Sequence, residues 1–206
     1  MASRDVSVLI LCAALPVLLA ACISFGGPAG EPTRHFTLHA LSGEGGTTPG
    51  ASADLTIGVG PVDLPSYLQR PQLVTLREQN EYALSTSAQW GEPLEENVKR
   101  VLAANLRQLL PTDQVVPFPW RRAIPVDLQA TADIQRFDAG PDEAARLVVN
   151  WTLLDEKGNL LEMRQSRYQQ NVDDPQQPAA VVEAMSSLLA DFSRDLAAAL
   201  DRRSGG

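Results

Sequence analysis

Residues 93–110, PLEENVKRVLAANLRQLL, place Leu94, Val98, Val101, Leu102, Leu106 and Leu109 at i, i+4, i+7, i+8, i+12 and i+15. That spacing puts six apolar side chains on one stripe of a helix, and Pro93 suits its first turn because the missing N–H has no intrahelical partner there. A second stripe begins near Pro178 with Val181, Met185, Leu188, Leu189, Phe192, Leu196 and Leu200. Glu183, Ser187, Asp191, Arg194 and Asp195 fall on the other side, so this helix also has one face to bury.

The segments before each helix read as strands. HFTLHAL (His35 to Leu41) alternates Phe36, Leu38 and Ala40 with polar neighbours, and DLTIGVGPV puts Leu55, Ile57 and Val59 on one face. Gly58 and Gly60 in that run predict a bulge or a close backbone approach. SYLQRPQLVTL and REQNEYALS form a hairpin turning at Gln79-Asn80, with Tyr82 and Leu84 expected inward. Between the helices come QVVPF, VDLQATADIQRFD, EAARLVVNWTLLD and NLLEMRQSRYQ, the last two joined by Glu156-Lys157-Gly158. Leu147, Val149, Trp151 and Leu153 share one face of the third. Two groups of strands, each followed by a helix, predict an α+β domain: a mixed or antiparallel sheet with two amphipathic helices packed on one face.

Seventeen basic against 25 acidic residues give a formal charge of −8, with no basic run longer than two residues. That field excludes a nucleic-acid binder, whose affinity rests on clustered Lys and Arg releasing counterions. At 206 residues and 44% hydrophobic composition the chain is long enough to form a core without disulfides or metal.

The N-terminus carries a targeting segment. Val6 to Ala21 is an apolar or small-residue run, too short to span a bilayer and right for a signal-peptide core. It ends in Leu19-Ala20-Ala21-Cys22, which resembles the bacterial lipobox, where the cysteine thiol takes a thioether-linked diacylglycerol and cleavage follows just before it. The expected division is therefore a signal peptide at 1–21, the lipidated Cys22 and a Gly- and Pro-rich tether to residue 33, one domain at 34–203 and a disordered tail at 204–206. Cys12 leaves with the signal and Cys22 is consumed by lipid, so no thiol is left for disulfide, zinc or catalysis. Ile23, in place of the Asp that retains lipoproteins at the inner membrane under the enteric sorting rule, points to the periplasmic face of the outer membrane.

No enzyme signature is present: the chain has no GxSxG, HExxH, GxxxxGK[ST] or GxGxxG, and its adjacent carboxylates Glu95-Glu96 and Asp173-Asp174 read as solvated. His35 and His39 lie four apart on one strand face without an identifiable third ligand, so no metal site, cofactor site or catalytic residue is expected. Two constellations put large apolar or planar groups into loops. In Pro65 to Val74, two prolines stiffen a segment that either offers Tyr67, Leu68 and Arg70 to a partner surface or lipid or caps the domain's own core with Tyr67 and Leu68. In Trp90 to Leu94, Trp90 is placed to staple Leu94 across the helix start and Glu92 to favour its positive end.

A lipobox, a short strand, Tyr67-Leu-x-Arg-Pro-Gln-Leu-Val74, then Trp90-x-Glu-Pro-Leu94 opening a helix together resemble the PqiC-type, or ABC-type transport auxiliary, lipoproteins. The likeness continues through Arg136-Phe137-Asp138, Leu147, Trp151 and the final helix, while Gly91 and the long loop Ser42 to Ser52 depart from it. The resemblance implies a non-enzymatic outer-membrane lipoprotein that works with an MCE-domain tunnel protein in lipid transport between membranes, as a possible homo-oligomer, and supports envelope integrity. Tyr67, Leu68, Arg70, Pro71, Gln72 and Trp90 are its expected partner-binding residues, with Cys22 as anchor. The competing expectations are a stand-alone outer-membrane lipoprotein that binds a lipid or small ligand, and a periplasmic hydrolase with no visible nucleophile.

Overall fold

The computed structural model describes residues 32–43 and 55–204; the expected signal segment, Cys22 and most of the tether and Gly-rich loop lie outside the described residues. The elements are β1 (Arg34–Phe36), β2 (Ile57–Asp63), a 3-10 turn (Ser66–Leu68), β3 (Gln72–Glu78), β4 (Glu81–Trp90), α1 (Leu94–Leu109), β5 (Val115–Pro117), β6 (Leu128–Ala139), β7 (Ala144–Asp155), β8 (Leu160–Asn171) and α2 (Pro178–Ser204). Ser204 belongs to α2, so of the expected tail only 205–206 remain, outside the described residues.

Eight strands form one mixed sheet centred on β6. One edge of β6 pairs antiparallel with β7 from Leu128↔Asp155 to Ala139↔Ala145. Its other edge takes β2 in parallel over Leu128 to Asp133 and then β3 in parallel at Ala139. β8 extends the sheet beyond β7, β5 lies parallel to β2, and the β3–β4 hairpin carries β1 parallel to the end of β4.

Both helices lie on one face of this sheet, as the pattern predicts. Leu147, Val149, Trp151 and Leu153 are each at most 2% exposed beneath them, and each contributes about 1.5–3 kcal/mol of apolar burial. The whole α2 stripe from Val181 to Leu200 is buried, as are Leu94, Val98, Val101, Leu102 and Leu106 of α1. Pro93 caps α1 and its carbonyl takes the first helical bond from the Asn97 amide at 3.0 Å. Glu95 and Glu96 in the first turn and Arg107 in the last suit the helix dipole.

The glycine expectation holds in both forms. A Cβ on Gly58 would lie 2.9 Å from the Trp120 ring, Gly60 has φ +117° with Phe118 Cβ 2.8 Å from where its own would sit, and the β2–β6 register shifts between Val59 and Val62. Gly158, at φ +80°, likewise turns β7 into β8.

Two strand expectations need correction. The strand expected over His35 to Leu41 stops at Phe36, because the next residues leave the sheet and lie against the helices. Leu38 N–H donates to Asn97 Oδ1 at 3.0 Å, Leu41 N–H to Asn105 Oδ1 at 2.8 Å and His39 N–H to Ser186 Oγ at 3.3 Å. Asn97 and Asn105 are eight residues apart on α1, a rise of about 12 Å, which matches the roughly 10 Å extended advance from Leu38 to Leu41. Buried side-chain amides therefore replace a neighbouring strand. The second correction concerns Tyr82 and Leu84, which are each 45% exposed rather than inward. They pair with Leu76 and Val74 near the hairpin tip, and the register shift between Gln72 and Val74 separates them from the buried Ala88 and Trp90 on the same strand.

Candidate functional site

The loop after β2 is built by Pro65. Its carbonyl accepts the Leu68 N–H at 2.9 Å and closes a 3-10 turn in which successive side chains diverge. Leu68 turns inward and is 2% exposed, which corrects the expectation that it is offered to a partner: its isobutyl group is part of the core and holds the loop down. Tyr67 is half-buried, stacks on Tyr82 with ring centroids 4.3 Å apart, and donates from its hydroxyl to Asp138 Oδ2 at 2.8 Å. Arg70 and Pro71 are exposed, and the Arg70 guanidinium has no partner among the described residues. Gln72 opens β3 and is half-buried.

Asp138 supports this arrangement from below. It is 1% exposed and also accepts from Arg136 Nε at 2.9 Å, so its charge is met by one guanidinium and one phenol. Burial pushes the Tyr67 phenol well above its ordinary range, and the Asp138 charge pushes it the same way. In the sequence Asp138 is marked only by the family likeness at Arg136-Phe137-Asp138. The signal within the residues themselves is a carboxylate next to Phe137 in a strand whose neighbours are buried.

The second constellation folds onto the first. Trp90 ends β4 and donates its N–H to Pro71 O at 2.7 Å, which ties the helix start to the loop. Trp90 is 5% exposed and Leu94 3%, so the aromatic ring lies largely in the core. Glu92 favours the start of α1 as expected and does more: it accepts from Asn97 Nδ2 at 2.7 Å and from Arg100 at 2.6 Å. A Cβ on Gly91 would be 3.5 Å from Phe36 O, an ordinary contact, so alanine fits here and the departure from the family pattern leaves the geometry intact.

Together the two segments enclose a cleft of about 470 Å³. Leu64, Trp90 and Leu94 supply apolar lining, with Arg70, Pro71 and Glu92 among the other lining residues. The arrangement suits an apolar side chain with an acceptor group placed toward Arg70.

The histidines do not converge. His35 is exposed on β1, His39 lies beyond it on the segment against the helices, and no group of three or more metal-ligating side chains gathers among the described residues.

Comparison with known proteins adds the family. No curated protein matches the chain. One solved structure of an uncharacterised protein is 18% identical with a TM-score of 0.63, over 84% of this chain and 99% of that one. A protein from Xanthomonas campestris is 13% identical with a TM-score of 0.60, over 81% of this chain and 90% of that one. At these identities the likeness shows a shared fold. The family model of the ABC-type transport auxiliary lipoprotein component matches residues 36–197, which takes in the loop, the cleft, the whole sheet beyond Arg34 and His35, and α2 as far as Ala197. The chain belongs to the ABC-type transport auxiliary lipoprotein component family.

Proposed function

We propose that this protein is a non-enzymatic adaptor of an intermembrane lipid transport system, anchored through an acylated Cys22 at the periplasmic face of the outer membrane and docked to an MCE-domain tunnel protein. Membership of the auxiliary lipoprotein family supports a transport role. The observation that carries the docking part is the cleft, where two segments distant in sequence bring Arg70, Pro71 and Trp90 together and give the guanidinium no partner among the described residues. An exposed cation beside apolar lining is what a partner recognises and what the chain's own fold does not use.

In this reading Arg70 and Pro71 touch the partner, Trp90 lies at the back of the cleft, and Leu68 fixes the loop from beneath, while Tyr67 and Gln72 lie outside the cleft lining and Tyr67 ties the loop to Asp138. The work is recognition and positioning, with no bond made or broken by this chain. Self-association into a homo-oligomer that caps or seats the tunnel end, and a contribution to envelope integrity, belong to the same proposal.

The test is photo-crosslinking in the native host, with the reactive residue at Pro71 and Cys22 left intact. Recovery of an MCE-domain protein supports the reading. Crosslinks confined to other copies of the same chain, with probes at Arg70 and Gln72 giving the same result, would overturn the docking surface and leave a self-associating lipoprotein.

A further inference from the structure

The residues after β1 form a strap, Thr37 to Ser42, across α1 and α2. Midway along it, His39 has both ring nitrogens occupied: Nε2 is 2.9 Å from Glu183 Oε2 on α2, and Nδ1 is 3.1 Å from the Ala40 carbonyl oxygen. Both partners are acceptors. A neutral imidazole has one N–H to give, so only the imidazolium satisfies both contacts at once.

The surroundings favour the same state. From α2, Glu183 faces the ring, while Asp191 and Arg194 share the cavity beside it and are paired with each other at 2.7 Å. From β8 comes the neutral Gln170, whose amide donates to Asp191. From α1 the strap meets the neutral Asn97 and Asn105, and Arg100 reaches it only at Thr37 Oγ1, 3.0 Å away. The net local charge opposite His39 is that of Glu183. The Ala40 carbonyl and then Glu183 hold the imidazolium above the ordinary histidine range, against a smaller opposing effect of burial.

We propose that the strap is a proton-operated latch. The His39 imidazolium closes its far end over a cavity of about 260 Å³ beside α2, and loss of that proton loosens His39 to Ser42 while Leu38 stays anchored in the core. The neutral ring keeps one of its two bonds and gives up the charge pair with Glu183. Because the folded-state value is raised, the latch is fully closed below about pH 6.5, the ordinary histidine value, and is lost as the pH rises through the raised value.

The two histidines of the chain make the experiment clean. In the full-length protein, imidazole NMR gives each titration midpoint, and hydrogen exchange of the Leu41 and Ser42 amides, corrected for intrinsic rates, gives the state of the strap. The expected results are a His39 midpoint above the ordinary histidine value of about 6.5, and a strap exchange rate that rises about two- to fivefold through the His39 titration, the range an exposed ion pair supports. Glu183→Gln should lower the midpoint, and His39→Gln should give a flat profile at the looser level while His35→Gln changes nothing. A pH-independent strap, a step that survives in His39→Gln, or a His39 midpoint at or below about 6.5, the ordinary histidine value, would each overturn the latch.

Discussion

The Tyr67 hydroxyl donates to the Asp138 carboxylate at 2.8 Å, and this bond joins the loop at the cleft to the central strand of the sheet. With Asp138 1% exposed, Tyr67→Phe leaves a buried carboxylate one donor short while preserving the ring stack on Tyr82. The expected cost is about 1–3 kcal/mol of unfolding free energy, measured by urea denaturation.

Leu68 and Arg70 are two residues apart and separate stability from docking. Leu68→Ala should lose about 2–5 kcal/mol because it empties a fully buried site, and Leu68→Asp should unfold the domain. Arg70→Glu should leave stability within about 0.5 kcal/mol while reducing partner crosslinking at Pro71 at least about tenfold. Thermal melts and crosslink yields on the same preparations check both.

Asn97 and Asn105 should behave as structural residues although they are polar. Both are 0% exposed, and each accepts a strap amide. Asn105→Ala strands the Leu41 N–H and removes a donor from Ser193 Oγ, whose hydroxyl keeps its bond to Leu189 O, for a cost of about 1–3 kcal/mol. Asn97→Ala should cost more, since that amide also bonds Thr37 and Glu92. Denaturation midpoints give the order.

The Arg146 guanidinium beside Asp142 holds that carboxyl down to about 2. A depressed folded-state value means the pair contributes above the ordinary carboxylate range near 3.9 and is lost as the pH falls through about 2. Carboxyl NMR should find Asp142 still ionised at pH 3, and Arg146→Gln should return it toward the ordinary range. An Asp142 midpoint unaffected by that substitution would remove the pair from the account.

Both helices and β7 were legible because their side chains obey one period over many residues. The 3.6-residue stripes of α1 and α2 and the alternation from Leu147 to Leu153 need no tertiary information. Tyr82 and Leu84 were misread because alternation identifies a face without saying how far along the strand the core reaches. The break is local: Ser85 Oγ accepts the Ala88 N–H at 2.9 Å where β4 slips against β3. The strap was misread because a strand pattern shows which side chains turn inward and not what satisfies the backbone. Asn97 and Asn105 beside Val98 and Leu106 were the available signal, two amides on the buried side of an otherwise apolar helix. Leu68 stayed open between core and partner for the opposite reason, since isolated apolar residues in the loop 64–71 have no period to reveal their direction.

The strap also sets the order in which the domain can be completed. His39 bonds Ser186 across 147 residues, and β2 must wait for β6 before it has its main neighbour. Contacts of such separation form late, because the entropy of closing a long chain is met before the contact returns anything. The first described segment can pair with β4 and α1 early, but its His39 contacts have no partner until α2 exists, so a chain truncated before α2 leaves the strap fastened on one side only.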